Sequence, residues 1–166
     1  MVAAGVLQNP TPGHILGQHV YPQLPAGHVG VRPGAYMAAA DELHLTVHGK
    51  GGHAALPHLC RDAVLAASAI VVAAQQLVAR RSKPTEPVVC SFGFVEALGA
   101  TNVLPNEVHL KGTFRSLDPA VRADLHEALT TLIQDTASAH GCKAELEIRH
   151  GYPSVRNDEN LAHSFR

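Results

Sequence analysis

Three histidines and three glycines crowd into the eleven residues HGKGGHAALPH, His48 to His58. Dense histidine suggests a metal, and Gly-Lys-Gly-Gly suggests a phosphate cradle. The phosphate reading needs G-x-x-x-x-G-K-[ST]. His44 stands where the first glycine belongs and Gly51 where the hydroxyl residue belongs, so both ends of that motif fail. The metal reading needs imidazoles on one face. His48, His53 and His58 are spaced by five, which on a helix leaves one face and on a strand alternates faces. Nothing in that spacing gathers them as H-E-x-x-H does. His48 and His58 therefore read as surface or turn histidines. His53 differs, because Gly51-Gly52 and Ala54-Ala55 flank it at a strand-to-helix turn. Small neighbours permit close backbone approach and leave an imidazole projecting. Local features also fit a loop histidine that bonds its own turn, and favour that reading.

Three further residues could carry chemistry. His19 ends a short apolar piece before a Pro-rich turn, a usual place for ligating or catalytic groups; an ordinary loop histidine fits as well. Asn102 lies in TNVLPN between two strands, where asparagine also serves as a turn-former. Arg115 ends a strand on its polar face, where a plain surface cation is equally apt. Cys60, Cys90 and Cys142 are odd in number and form no C-x-x-C pair, so reduced thiols and a cytoplasmic setting are expected.

The elements that must position these groups follow from periodicity. The chain has 166 residues, 46% hydrophobic and 16% charged, enough for a packed core. A formal charge of -1 and 4% aromatics exclude the basic, base-stacking face of a nucleic-acid binder. No unbroken apolar run of membrane-spanning length and no leader-like start is expected to engage a membrane. Residues 1–40 are rich in Gly and Pro and lack the period to form their own core. In ELHLTVH, Leu43, Leu45 and Val47 alternate with polar residues and predict a half-buried strand. A helix follows over RDAVLAASAIVVAAQQLVARR, its predicted apolar face being Val64, Ala67, Val71, Ala74 and Val78. PVVCSFGFV and NEVHLKGTFRS read as strands, the second with Val108, Leu110 and Phe114 inward. Asp118 and Pro119 open a second helix carrying Val121, Leu125, Leu129, Leu132, Ile133 and Thr136, and Gly141 stops it. KAELEIRH is the last strand, with Leu146 and Ile148 inward. The order β-α-β-β-α-β predicts an α+β, ferredoxin-like two-layer sandwich.

In sequence order GQHVYPQLPAGHVGVRPG, HGKGGHAALPH, QQLVAR, TNVLPNEVHLKGTFRS and GYPSVRND resemble the aminoacylase/carboxypeptidase metalloenzyme family. The nearest branch is the amidohydrolases of N-acyl amino acids, hippurate hydrolase and auxin-conjugate hydrolase among them. The resemblance implies a lid or dimerisation domain over residues 41–150. Residues 1–40 then form a remnant of a metal-binding catalytic domain, and 151–166 the return into it. It further implies His19 as a metal ligand and His53 as a catalytic histidine that polarises the scissile carbonyl in a partner's active site. Asn102 is implied to bind substrate and Arg115 to hold its carboxylate. The implied cofactor is a divalent metal, zinc or else manganese, nickel or cobalt. The implied partners are a second copy of the chain, joined through the lid, and a small N-acyl amino acid or peptide. The family's H-x-C-G-H-D, paired-glutamate and late G-S-E-D-F motifs are absent from these 166 residues. The resemblance thus points to a fragment that holds no metal firmly and is inactive alone. A free-standing ferredoxin-like dimerisation or His-rich metal-binding module is the alternative.

Overall fold

The computed structural model describes residues 1–165 and divides into two compact units, Met1–Val31 and a second from Arg32 onward. The first unit holds one short 3-10 turn, Val2–Ala4, and no buried residue, as its Gly/Pro content led us to expect. The second contains, in order, β1 (Gly34–Met37), β2 (Ala39–His48), β3 (Gly52–His53), α1 (Ala63–Arg81), β4 (Val88–Glu96), β5 (Val103–Leu104), β6 (Glu107–Ser116), α2 (Pro119–Ala139), β7 (Lys143–Arg149), β8 (Val155–Asn157) and α3 (Glu159–Ser164).

The four long strands form one antiparallel sheet in the order β4-β6-β2-β7. With α1 and α2 between them in sequence, this is the ferredoxin-like arrangement expected from the β-α-β-β-α-β order. Strict alternation creates the core. Leu43, Leu45 and Val47 of β2 and Val108, Leu110 and Phe114 of β6 are all buried under Ile70 of α1 and Leu125, Leu129 and Ile133 of α2. Each such side chain contributes roughly 1.5–3 kcal/mol on burial, so a one-residue slip of register would be strongly disfavoured. The opposite sheet face carries His44, Thr46, His48, His109, Lys111, Thr113, Arg115 and the charged residues of β7.

The helix boundaries follow their caps. Asp62 accepts from the N–H groups of Val64 and Leu65, and Asp118 from those of Ala120 and Val121, with Pro119 at the first helical position. Gly141, at φ 68°, takes the left-handed conformation that ends α2. Within α1 the expected face is met at Ala67 and Ala74, which are buried, and at Val71 and Val78, which pack partly buried against the core, but not at Val64. Ala63, Ala66, Ala67, Ile70 and Ala74 face the sheet, while Val64 is 38% exposed. Starting the helix at the Asp62 cap rotates its alanines inward, and these small side chains let helix and sheet approach closely. By length and composition α1 could cross a membrane, but here it packs this face on the sheet.

Two small ribbons complete the unit. β1 pairs with β8, Gly34 opposite Asn157, so the segments entering and leaving the sandwich run together. β3 pairs with β5, Gly52 opposite Leu104 and His53 opposite Val103.

Candidate functional site

The HGKGGH turn is held residue by residue. Gly49 N–H donates to the Asn106 carbonyl at 2.7 Å, and Lys50 and Arg61 exchange backbone bonds at 2.9 Å. Gly51 N–H donates to Asn106 Oδ1 at 3.0 Å, after which the β3–β5 ribbon takes over. Ala54 N–H then donates to the Asn102 carbonyl at 2.9 Å. Two of the glycines are obligatory for contact rather than for twist. A Cβ on Gly49 would overlap the Arg61 carbonyl, and one on Gly51 the Leu104 carbonyl.

His53 stands exposed at the end of this ladder. Its Nδ1 accepts the N–H of Ala55 at 3.1 Å. A ring nitrogen that accepts carries no proton, so Nε2 is the protonated nitrogen and the available donor. The turn-bonded histidine favoured by local features and the projecting one are therefore the same residue. Asn102 is exposed beside it, brought there by a pairing of two-residue strands that have no periodic signal in the sequence.

Arg115 lies elsewhere. It sits opposite Ala40 and Val89, whereas the turn joins the sheet at the His48–Glu107 end. Eight residues of strand separate Glu107 from Arg115, about 27 Å at the usual rise. His19 belongs to the first unit. Its Nδ1 lies 2.7 Å from the Val20 carbonyl, which assigns the proton to Nδ1 and leaves the Nε2 lone pair available. That fits one metal ligand, against the three protein ligands of a catalytic zinc. His48 faces Glu107 at 3.5 Å and Glu145 at 3.9 Å, and His58 lies in a 3-10 turn. Among the described residues, His48, His53 and His58 do not form a common ligand group.

Among the described residues, Asp41, His126 and His150 form a cluster of potential metal ligands. Periodicity missed it, though one signal was present: Asp41 occupies the inward phase of β2, where a carboxylate requires a cation. Asp41 is 1% exposed. Both of its oxygens receive the Arg122 guanidinium, Nε at 2.7 Å from Oδ2, and Oδ1 also accepts Gly151 N–H at 2.9 Å. Burial pushes the Asp41 carboxyl up, but the bonds from Arg122 and Gly151 and the charges of Arg122 and His126 outweigh it and hold the pKa below the ordinary value. His126 Nε2 is 3.1 Å from Oδ2 yet makes no aligned hydrogen bond. Its pKa is lowered by burial first and by the His150 and Arg122 charges next, against the opposing pull of Asp41. With the guanidinium saturating the carboxylate, a divalent ion would have to displace a paired cation. The cluster is an ion-pair network rather than a metal centre.

The profile of the peptidase dimerisation domain matches residues 39–141. An N-acetyldiaminopimelate deacetylase of Bacillus licheniformis is 32% identical over 165 residues, 99% of this chain and 44% of the relative. An N-acyl-L-amino acid amidohydrolase of Geobacillus stearothermophilus is 35% identical over 160 residues, 96% of this chain and 43% of the relative. The chain thus spans less than half the length of these relatives. A solved dinuclear metal binding peptidase of the M20 family from Bacillus subtilis superimposes with a TM-score of 0.73 at 28% identity, over 98% of this chain and 39% of that one. Profile, relatives and strand order agree: the chain belongs to the M20 peptidase family and contains its peptidase dimerisation domain.

Proposed function

We propose that this chain is the lid and dimerisation part of a metal-dependent amidohydrolase that cleaves the amide bond of N-acyl amino acids, with His53 acting in the active site of a second copy. The observation that carries this reading is the His53 ladder: an exposed imidazole with Nε2–H as donor, clamped on both sides by backbone bonds. The names of two relatives, a deacetylase of an N-acetyl amino acid and an N-acyl amino acid amidohydrolase, support the substrate class.

The chain's own contribution is electrostatic. Amide hydrolysis builds negative charge on the carbonyl oxygen, and a pre-aimed donor stabilises it. Asn102, beside His53, is placed to orient the acyl amide. Arg115, at the far end of β6 and about 27 Å from Glu107 at the turn's end of that strand, is set apart from a small substrate that His53 of the same chain touches. A carboxylate held by Arg115 therefore belongs to a site whose histidine comes from the other copy. His19 would supply one ligand to the metal, and a bound divalent ion, zinc or manganese, supplies Lewis acidity and lowers the pKa of water.

Two surfaces differ in fitness for self-association. β7 bears alternating charges, Lys143, Glu145, Glu147 and Arg149, which discourage edge pairing. β4 is the other sheet edge and exposes Val89, Phe94 and Val95, with Leu65 and Val72 exposed on the α1 helix that packs beside it. The β4–α1 side is the dimer surface in this reading, and Val95→Lys should shift the protein from dimer to monomer in light scattering.

The test of function uses a full-length protein carrying this segment, assayed on N-acetyl and N-benzoyl amino acids with zinc or manganese. His53→Ala should lower kcat by about 10²–10³, the effect of removing one oxyanion donor. Unchanged kcat in that variant, or brisk turnover by the 166-residue chain alone, overturns the reading.

A further inference from the structure

We propose that Asn106 is the positioning residue for His53, an inference that rests on the role given to His53 above. Asn106 follows Pro105, which is buried and has a fixed φ, so its backbone is anchored where β5 hands over to β6. From that anchor it makes two bonds to the glycine turn with two different groups. Its carbonyl accepts Gly49 N–H at 2.7 Å and its side-chain Oδ1 accepts Gly51 N–H at 3.0 Å. Gly51 also lies so close to Leu104 that no side chain fits between them. The turn is thus pressed against the 104–106 segment and latched there by one side chain.

The geometry gives this latch a direction. Gly51 is followed by Gly52 and His53, which pair with Leu104 and Val103, and Ala54 returns to Asn102. The Asn106 latch is the side-chain bond at the start of that ladder, as the His53 bond to Ala55 N–H is the one at its end. Lys50 and Arg61 hold the other flank of the turn to the start of α1. Without Oδ1, the Gly51 N–H turns to water and the ribbon that aims His53 frays from its first rung. Asn106 is exposed and packs no core, so its substitution leaves the sandwich intact.

In the full-length enzyme, Asn106→Ala should lower kcat by about fivefold, the weight of one net hydrogen bond, with KM little changed. Asn106→Asp keeps an acceptor for Gly51 N–H and should restore kcat to within about twofold. The decisive measurement is the double-mutant cycle with His53→Ala. If Asn106 acts through His53, Asn106→Ala has no further effect once the imidazole is gone. The same loss in both backgrounds overturns the proposal, because it marks a general structural role. A loss on His53→Ala without any on Asn106→Ala also overturns it, and leaves the reading of His53 standing. No loss on His53→Ala removes both.

Discussion

The Asp41–Arg122 pair offers the sharpest test of how this domain is held. The Asp41 side chain is 0% exposed and that of Arg122 17%. Replacing one partner of a buried pair strands the other charge and costs about 3–5 kcal/mol. The two single substitutions should not be equal. Arg122→Met leaves a carboxylate with no route to water, held by Gly151 N–H and the poorly aligned His126. Its expected loss is near 5 kcal/mol, roughly a 4,000-fold fall in the folding constant. Asp41→Asn leaves a guanidinium that already touches solvent, and keeps an oxygen for Gly151, so its loss lies near 3 kcal/mol. The double variant removes both charges and should be more stable than Arg122→Met alone. Urea unfolding of the chain, followed by far-UV circular dichroism, measures all three. Losses below about 1 kcal/mol for both singles, or a double variant whose loss is the sum of the two, would refute the buried-pair reasoning. Asp41 lies near the start of β2 and Gly151 just after β7. The same variants should therefore loosen the β1–β8 ribbon, where the chain enters and leaves the sandwich, seen as faster amide exchange there.

The network also sets a pH dependence. The folded pKa values of His126 and Asp41 are both lowered, so the unfolded chain binds more protons in each window. Stability should fall as pH drops through about 6.5 on account of His126 and again below about 3.9 on account of Asp41; His126→Gln should flatten the first fall, and an unchanged profile in that variant would contradict the assignment. Gly51→Ala drives a Cβ into the Leu104 carbonyl and should cost about 1–3 kcal/mol. Gly93→Ala meets nothing within 4 Å and serves as its control, the two being compared by Tm. Burial pushes the Cys90 thiol up to about 11, and burial and the Asp62 charge raise that of Cys142. Iodoacetamide should thus label the half-exposed Cys60 first in the native protein, with peptide mapping showing Cys90 and Cys142 protected.

Several elements were readable because their signals are local. The alternation in ELHLTVH and NEVHLKGTFRS, the Asp118-Pro119 cap and the Gly141 stop each depend on a few adjacent residues, and the structure places all of them as read. The expected face of α1 held at Ala67, Val71, Ala74 and Val78 and failed at Val64, because Ala63, Ala66 and Ile70 turn toward the sheet in its place.

The candidate site divides the same way. In the sequence, glycine flanks set His53 apart from its neighbours, its role came only from the family resemblance, and the spacing of five argued against a chelating trio. What the sequence did not contain is which segments meet. Two-residue strands carry no period, so the β3–β5 pairing that sets Asn102 beside His53, and the Asn106 bond that latches the turn, exist only after the sheet has brought those segments together. The same holds for the far placement of Arg115, which follows from strand register, and for Asp41. The sequence determined that Asp41 points inward; only tertiary packing supplied, from α2 and from the turn after β7, the cation and amide that make a buried carboxylate tolerable. Periodicity governs which face a side chain takes, because that depends on bonds along the chain. Partners across the fold are chosen by burial and by the need to satisfy every buried polar group, which only the assembled layers impose.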